Sequence, residues 1–213
     1  MKTNFKIIAT AIITSLLFAC SSNDDNQKIE VVNIDATSYV LAGKILNNHL
    51  TIITFNADNQ ALIKSLEQDI QVNYSVHGDT IKIENYGFIK IQDNAIVSSD
   101  IDGLDFDQAE LLLPASENAF KDKDFGGIVA TSSGMQFQHY VRFSSDGSLY
   151  GISNVFNQAT PNSEYELIYN IAGTHQTESY TDIFYLHNNI LFYEIVNQQF
   201  GIVYYYSEGL SQQ

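Results

Sequence analysis

The chain has 213 residues and a formal net charge of −15, from 25 Asp and Glu against 10 Lys and Arg. Because phosphate binding depends on clusters of Lys and Arg, this composition argues against nucleic acid as a partner. The one cysteine, Cys20, allows neither an internal disulfide nor a sulfur-ligated metal site, so we expect packing to stabilise the fold.

The N-terminus has the pattern of a secretory leader. Lys2 and Lys6 give a basic start, and residues 7–18 (IIATAIITSLLF) form an apolar run. A membrane-spanning helix needs about 20 apolar residues, so this shorter run predicts a cleaved signal peptide over residues 1–19. The last residues of the leader and Cys20 (LFAC) resemble the lipobox of bacterial lipoproteins. The resemblance implies cleavage before this cysteine and acylation of its sulfur and its new amine; the alternative is a free or buried thiol after an ordinary signal peptide.

Residues 20–35 are predicted to form the acylated cysteine and a flexible acidic tether. One acyl chain binds a membrane only marginally, whereas two or more make a stable anchor. Residues 21–25 (SSNDD) resemble the serine-plus-acidic signal that sends some Gram-negative lipoproteins to the cell surface, and the alternative role for them is a polar spacer. We therefore expect an outer-membrane lipoprotein, and the second resemblance implies exposure at the cell surface.

The chain beyond the tether has the pattern of an all-β protein. Short runs rich in β-branched and aromatic residues alternate with Asn, Asp and Gly, without a long helical period. This predicts antiparallel meanders over 36–113 and 125–213, joined by a linker over 114–124, which form one lipocalin-like barrel or two curved-sheet modules. Asn, Asp and Gly accept positive φ at low cost. The turns that they predict lie at 47–48, 58–59, 77–79, 93–94, 146–147 and 188–189.

One predicted hairpin surrounds the His-Gly-Asp turn. In the strand before this turn, Val72, Tyr74 and Val76 share one face because side chains alternate along a strand. Ile81 and Ile83 follow the turn with the same alternation. We therefore expect these two isoleucines to meet that face across the hairpin.

Two pairs of segments suggest an internal repeat. Residues 55–58 (FNAD) resemble 143–146 (FSSD), and residues 74–78 (YSVHG) resemble 169–173 (YNIAG). Chance similarity between β-hairpins is the alternative. The order of a glycine-led strand, a Phe-x-x-Asp hairpin, Tyr-x-x-x-Gly and Thr-Ile-Lys-Ile resembles the lipocalin-like domains of small bacterial lipoproteins. That resemblance implies a barrel or strongly curved sheet whose interior is either filled or left as a ligand cavity.

Acidic residues crowd the segment 98–110 (SSDIDGLDFDQAE) and make it a candidate cation site. Ca²⁺ takes about 6–8 oxygen ligands, and Asp100, Asp102, Asp105 and Asp107 offer carboxylates around a glycine. The spacing does not match an EF-hand loop, because a leucine occupies a ligand place and the terminal glutamate is missing. The two interpretations are a calcium site and a solvated acidic loop, and we expect no other cofactor.

His139 is the candidate ligand-binding histidine. By alternation along its strand it shares one face with Phe137, Val141 and Phe143. This position predicts a core histidine bonded to a backbone carbonyl, or a polar group inside a ligand cavity. We expect the remaining histidines at the surface or in turns; they are His49, His77, His175 and His187.

Tyr204 and Tyr206 are the other candidate ligand-binding residues. They share one face of a strand near the C-terminus. An exposed tyrosine supplies rigid amphipathic area on which a sugar or a protein partner can pack. The alternative role for both is packing in the core or at its rim.

No catalytic motif is found in the sequence. A Gly-x-Ser-x-Gly elbow, a P-loop and a His-Glu-x-x-His motif are all absent. We therefore expect a non-catalytic binding module for a small-molecule, glycan or protein ligand. Two alternatives stay open: an interaction protein with a filled barrel, and a hydrolase that uses two carboxylates, since those need only meet in space.

Overall fold

The computed structural model describes residues 32–45, 49–101, 109–197 and 203–213, with the backbone alone for 45 and 203–208. Across these ranges, no helix is long and apolar enough to cross a membrane. Several predictions lie outside the described residues. They concern the leader, Cys20, the tether up to residue 31, the turn at 47–48, and Asp102, Asp105 and Asp107.

Within the described residues, the range 40–112 forms a sheet of eight antiparallel strands. The strands are β1 (Val40–Ile45), β2 (His49–Phe55), β3 (Gln60–Ser65), β4 (Asp69–His77), β5 (Thr80–Ile83), β6 (Gly87–Gln92), β7 (Ala95–Ile101) and β8 (Ala109–Leu112). A short 3₁₀ helix, Ala36–Ser38, precedes β1. Strands β1 to β7 form a meander, and β8 returns to pair with β1. The two edge strands, β7 and β8, are consecutive in the chain, as in an up-and-down barrel that is nearly closed.

The range 124–212 forms a second sheet, of nine antiparallel strands. The strands are β9 (Asp124–Thr131), β10 (Gln136–Phe143), β11 (Leu149–Ser153), β12 (Ser163–Glu164), β13 (Glu166–Ile168), β14 (Ala172–Gln176), β15 (Tyr180–His187), β16 (Ile190–Asn197) and β17 (Val203–Gln212). The last strand, β17, pairs with the first, β9. The edge strands β12 and β13 are separated by Tyr165 alone, so this sheet is also nearly closed. The prediction of an all-β chain of antiparallel meanders is confirmed.

Asparagine, aspartate and glycine make the turns between neighbouring strands, as the sequence predicts. All the predicted turns that lie in the described residues join consecutive strands, and residues in each have positive φ. The residues with positive φ in these turns are Asn59, Gly78, Asp93, Asn94, Gly147, Asn188 and Asn189. A turn at Tyr169 and Asn170, with φ of 49° and 60°, was not predicted, because tyrosine is not a turn signal.

The register predicted for the His-Gly-Asp hairpin is confirmed. Tyr74 pairs with Ile83 and Val76 pairs with Ile81. The internal repeat holds for its first pair of segments, since 55–58 and 143–146 each end a strand and begin a hairpin turn. The second pair is not equivalent. Tyr74 lies inside β4, whereas Tyr169 lies in the turn between β13 and β14.

Each sheet encloses a core of its own. The core of the first sheet is mostly aliphatic, and its buried members include Leu41, Ile53, Phe55, Ile63, Tyr74, Ile81, Ile83 and Ile89. The core of the second sheet is rich in aromatic rings, and its buried members include Phe120, Phe125, Val141, Phe143, Tyr150, Phe184 and Tyr193. Both interiors are therefore packed with large side chains.

A third apolar cluster joins the two sheets. It is formed mainly by side chains of β1, β2, β15 and β16 that point away from the two interiors. Its fully or nearly fully buried members include Val40, Ala42, Leu50, Ile52, Leu112, Ala172, Ile183, Tyr185 and Val196. These strands are buried on both faces, which explains why their sequences (VLA, LTIITF and DIFYL) are almost continuously apolar.

Polar contacts cross the same interface. Glu194 on β16 is 5% exposed, and its carboxylate accepts the Leu50 N–H at 2.5 Å and contacts His49 Nδ1 at 2.8 Å. The Tyr169 hydroxyl donates to the carbonyl oxygen of Phe55 at 3.1 Å. His49 begins β2 beside the predicted turn, and the inter-sheet contact leaves its side chain 16% exposed.

Candidate functional site

His139 faces the interior of the second sheet, as its strand pattern predicts. The side chain is 5% exposed, and Val141 and Phe143 on the same face of β10 belong to the interior core. Its ring centroid lies 5.1 Å from that of Tyr193 on β16. The histidine is thus packed among aromatic and aliphatic side chains.

The hydrogen bonding of His139 is weak. Nδ1 lies 3.4 Å from the side-chain oxygen of Asn154, so the partner is a side chain and not the backbone carbonyl that we expected. Nε2 is buried and has no hydrogen-bond partner among the described residues. Burial lowers the pKa of His139 from 6.5 to about 4, although the contact with Asn154 opposes this shift. The ring is therefore neutral at pH 7.

A buried carboxyl group occupies the same interior. Asp182 on β15 is fully buried, and the hydroxyls of Tyr150 and Tyr193 both donate to it. Burial raises the pKa of Asp182 well above its usual range, against the hydrogen bond from Tyr193. Sequence analysis missed this residue; the signal was a single acid inside the apolar run of β15.

The interior of the second sheet is filled around these two groups. Phe120 stacks on Phe143 with ring centroids 4.7 Å apart, and Phe184 packs edge-on against Phe120 at 5.3 Å. His139 lines neither of the two clefts described next. Its position therefore matches the expected core histidine better than a polar group in a ligand cavity.

The larger concavity is an open cleft of ≈620 Å³ between the two sheets. The β3–β4 hairpin forms one wall, and β12, β13, β14 and the start of β15 form the other. The cleft is lined by Lys64, Ser65, Leu66, Glu67, Gln68, Asp69, Glu164, Tyr165, Glu166, Thr174, His175, Gln176 and Thr181. We call it the inter-sheet cleft.

One lysine ties the walls of the inter-sheet cleft together. Lys64 Nζ lies 2.8 Å from Glu166 Oε2 on the second sheet and 3.1 Å from Asp69 Oδ2 on the first. Burial by itself would lower the pKa of Lys64, but the hydrogen bonds to Glu166 and Asp69 outweigh burial and raise that pKa. Lys64 therefore stays charged. With Glu67 and Glu164 also in the lining, carboxylates outnumber ammonium groups in the cleft.

A smaller concavity, of ≈250 Å³, lies where the segment between β11 and β12 covers β11, beside the start of β15. It is lined by Tyr150, Gly151, Ile152, Gln158, Thr160, Asn162, Ser163 and Tyr180. We call it the barrel mouth. None of the described side chains that line it carries a charge.

His175 separates the two concavities. Its ring centroid lies 5.5 Å from the rings of Tyr150 and Tyr180, which line the barrel mouth, and His175 itself lines the inter-sheet cleft. Nδ1 lies 2.5 Å from the carbonyl oxygen of Glu164 and donates to it, since a carbonyl oxygen can only accept. Nε2 is buried without a hydrogen-bond partner in the described part of the chain. His175 is thus half-buried inside β14, at the lining of an open cleft and not in a turn.

Of the other candidate residues, only Asp100 has a described side chain, and it lines neither concavity. The backbones of Tyr204 and Tyr206 pair with Val196 and Glu194 on β16, and their side chains lie outside what the structure describes. Asp100 is exposed near the end of β7. In the described ranges, no group of three or more His, Cys, Asp or Glu side chains could hold a metal ion. Because the other three aspartates lie outside these ranges, the choice between a calcium site and a solvated acidic loop at residues 100–107 stays untested.

Comparison with known proteins gives no relative for this chain: no family model, no curated protein and no solved structure matches it. Function must therefore be argued from the geometry and chemistry of the concavities; a further one, of ≈330 Å³, lies on the outer surface of β3 and β4.

The buried histidine predicts a loss of stability in acid. Between pH 6.5 and about 4 the unfolded chain binds a proton at residue 139 that the folded protein does not, so stability present above pH 6.5 falls as the pH drops through this window. The shift in the pKa of His139 corresponds to a change of at most ~3 kcal/mol in the free energy of unfolding. We expect His139→Phe, which cannot titrate and keeps a ring beside Tyr193, to lose less stability between pH 7 and pH 4.5 in urea unfolding.

His77→Phe is the matched control, because it makes the same change at an exposed position. It should follow the wild-type acid dependence. Equal losses of stability in wild type and His139→Phe would contradict the assignment of the acid effect to His139.

Proposed function

We propose that the protein is a lipid-anchored envelope protein that acts as a non-catalytic binding module, with the inter-sheet cleft as its ligand site. The one observation that carries this proposal is the contrast between filled interiors and an open cleft. Both sheets enclose packed cores, so neither offers an internal cavity large enough for a ligand among the described residues. The inter-sheet cleft has a volume of ≈620 Å³, within the range of roughly 300–1,000 Å³ that is typical of small-molecule sites.

The chemistry of the cleft favours a cationic or neutral polar ligand. The one ammonium group, that of Lys64, is already bonded to Asp69 and Glu166. Glu164 adds a further exposed carboxylate, and Thr174 adds a hydroxyl. An anionic ligand would meet like charges without a cation to receive it, whereas a small-molecule amine, a polar glycan or a basic protein segment would meet acceptors.

The proposed location rests on the sequence of the leader and the tether. An apolar run that is too short to span a bilayer, followed at once by Cys20 and the segment SSNDD, is typical of an outer-membrane lipoprotein of Gram-negative bacteria. Cleavage before Cys20 removes two lysines and takes the formal charge of the remaining 194 residues from −15 to −17. A domain this acidic is repelled by anionic lipid, so the acyl chains and not the protein surface would hold it at the membrane.

An interaction protein with filled barrels is the second candidate function. The observation that favours it is the dense aromatic packing inside the second sheet, which leaves binding to outer surfaces. The third candidate, a hydrolase with paired carboxylates, gains less support. Asp69 and Glu166 do converge in the inter-sheet cleft, but both contact Lys64 and so serve as its ion-pair partners. Asp182 is buried beneath two tyrosines and does not face either concavity.

Lipid anchoring predicts that Cys20→Ser abolishes acylation. The serine cannot form the thioether that precedes cleavage, so unprocessed or mislocalised precursor should accumulate. Labelling of expressing cells with a fatty-acid analogue checks this: we expect label on the wild type and none on the variant. Equal labelling of both would contradict the proposed anchor.

The cleft predicts that spermidine, a small trivalent amine, binds the wild type more tightly than it binds Glu164→Gln. Removal of one exposed carboxylate contact is worth up to ~1 kcal/mol, so the dissociation constant should rise about fivefold. Isothermal titration calorimetry at two salt concentrations measures it. This variant leaves the ion pairs of Lys64 in place.

Glu117→Gln is the matched control, because it makes the same change of net charge at an exposed residue outside the cleft. It should bind spermidine as the wild type does. The cleft is not the site if both variants weaken spermidine binding equally, or if the wild type does not bind spermidine.

A further inference from the structure

The barrel mouth is a second concavity with a chemistry of its own. Tyr150 and Ser163 are paired in register on β11 and β12, and Tyr150 belongs to the interior core. Tyr180 begins β15, two residues before the buried Asp182. The mouth therefore lies directly beside the filled interior of the second sheet, with Tyr150 between the two. Mouths of β-barrels are frequent ligand sites.

The lining of the mouth combines amides, hydroxyls and aromatic rings. Gln158 and Asn162 carry amides, and Thr160 and Ser163 carry hydroxyls. Each of these groups can both donate and accept hydrogen bonds. Tyr180 completes the lining and offers an apolar ring face with a polar tip, whereas Tyr150 is 2% exposed and forms the floor. This is the set of groups that matches a ring with several neutral hydroxyls on its edge and C–H groups on its face.

The absence of charge from this lining is informative in so acidic a chain. The protein has 25 acidic residues, yet none of them is among the described residues that line the mouth, and no Lys, Arg or His is either. A cation would find no carboxylate there and an anion would find no ammonium. The mouth therefore favours an uncharged polar ligand, in contrast to the inter-sheet cleft.

The floor and rim of the mouth are held in place. The Tyr150 ring is 2% exposed, and its hydroxyl is fixed by Asp182, which also accepts from Tyr193. At the rim, the Asn162 N–H donates to the carbonyl oxygen of Tyr150 at 3.0 Å. A Cβ atom at Gly151 would overlap the carbonyl oxygen of Thr160, so the glycine lets this loop lie directly on β11. A site whose walls are fixed before binding loses little entropy when it binds.

The volume limits the size of the ligand. At ≈250 Å³ the mouth is smaller than the roughly 300–1,000 Å³ typical of sites for drug-sized molecules. It is much larger than the space needed by a single water molecule, which occupies about 30 Å³ in the liquid. One sugar ring, or the terminal ring of a longer glycan, has the appropriate size.

From this size and chemistry, we propose that the barrel mouth binds one neutral sugar ring, with the amides of Gln158 and Asn162 hydrogen-bonded to its hydroxyls and a face of the ring packed against Tyr180. The proposal rests on the proposed function, a binding module, and adds a second site and the chemical class of its ligand. The two sites take ligands of different charge, so they can be tested separately.

The test is a titration of the full-length, ¹⁵N-labelled protein in detergent with four neutral methyl glycosides: those of glucose, galactose, mannose and N-acetylglucosamine. At least one glycoside should shift the amide resonances of residues 150–152, 158–160, 162–163 and 180 and saturate at millimolar concentration. In Gln158→Ala/Asn162→Ala the dissociation constant should rise about tenfold, because each lost hydrogen bond to a neutral group has a modest effect. Both residues are exposed, so the variant should fold, and its amide spectrum verifies this.

Two controls separate sugar recognition from other causes of a shift. Gln136→Ala makes the same kind of change at an exposed position of β10 outside the mouth, and it should bind as the wild type does. Cyclohexanol has a ring without the set of hydroxyls, and glucuronate has the hydroxyls with a negative charge; both should bind more weakly than the best glycoside.

Three outcomes would overturn the proposal: no saturable shift with any of the four glycosides, unchanged affinity in the double variant, or binding of cyclohexanol as tight as that of the glycoside. None of them bears on spermidine binding at the inter-sheet cleft. Conversely, if spermidine does not bind at the inter-sheet cleft but a glycoside does bind, the barrel mouth is the only ligand site left in the proposal.

Discussion

The apolar interface between the two sheets is the constraint on which the rest of the structure depends. Strands β1 and β2 bury one face in the first core and the other against β15 and β16. Each large apolar side chain buried there contributes about 1.5–3 kcal/mol relative to an exposed one. The carboxyl group of Glu194 lies inside this interface, and a buried polar group is tolerated only when it is hydrogen-bonded, as this one is to His49 and the Leu50 N–H.

This interface also determines where ligands can bind. Because the sheets meet through β2, β15 and β16, the β3–β4 hairpin is held opposite β12–β14, and the space between them is the inter-sheet cleft. Lys64 bridges the two walls there. The mouth of the second sheet lies away from the contact and stays open. The two concavities differ in charge because the cleft is lined by charged residues of both sheets, whereas the mouth is lined mainly by the uncharged segment between β11 and β12.

Sequence analysis predicted the features that depend on local chemistry. The pairing of Tyr74 with Ile83 follows from alternation and a glycine turn, and most turns follow from Asn, Asp and Gly. It could not predict the contacts that depend on packing between distant strands. Glu194 is a single acid in an apolar strand of the sequence. Its hydrogen bond with the Leu50 N–H becomes visible only when β2 and β16 are packed together in the structure. Asp182 and the two concavities were missed for the same reason, since their residues come from strands that are distant in sequence and meet only in the folded protein.

The central claim is that the two sheets form one cooperative unit through their shared interface. The most direct measurement is urea unfolding followed by the amide resonances of Ile63 in the first sheet and Val129 in the second, both fully buried. The account predicts one common midpoint for both amides, and a common shift of that midpoint in Glu194→Ala, because the interface is part of a single two-state transition. Separate midpoints, with one sheet unfolded while the other keeps its native resonances, would contradict it.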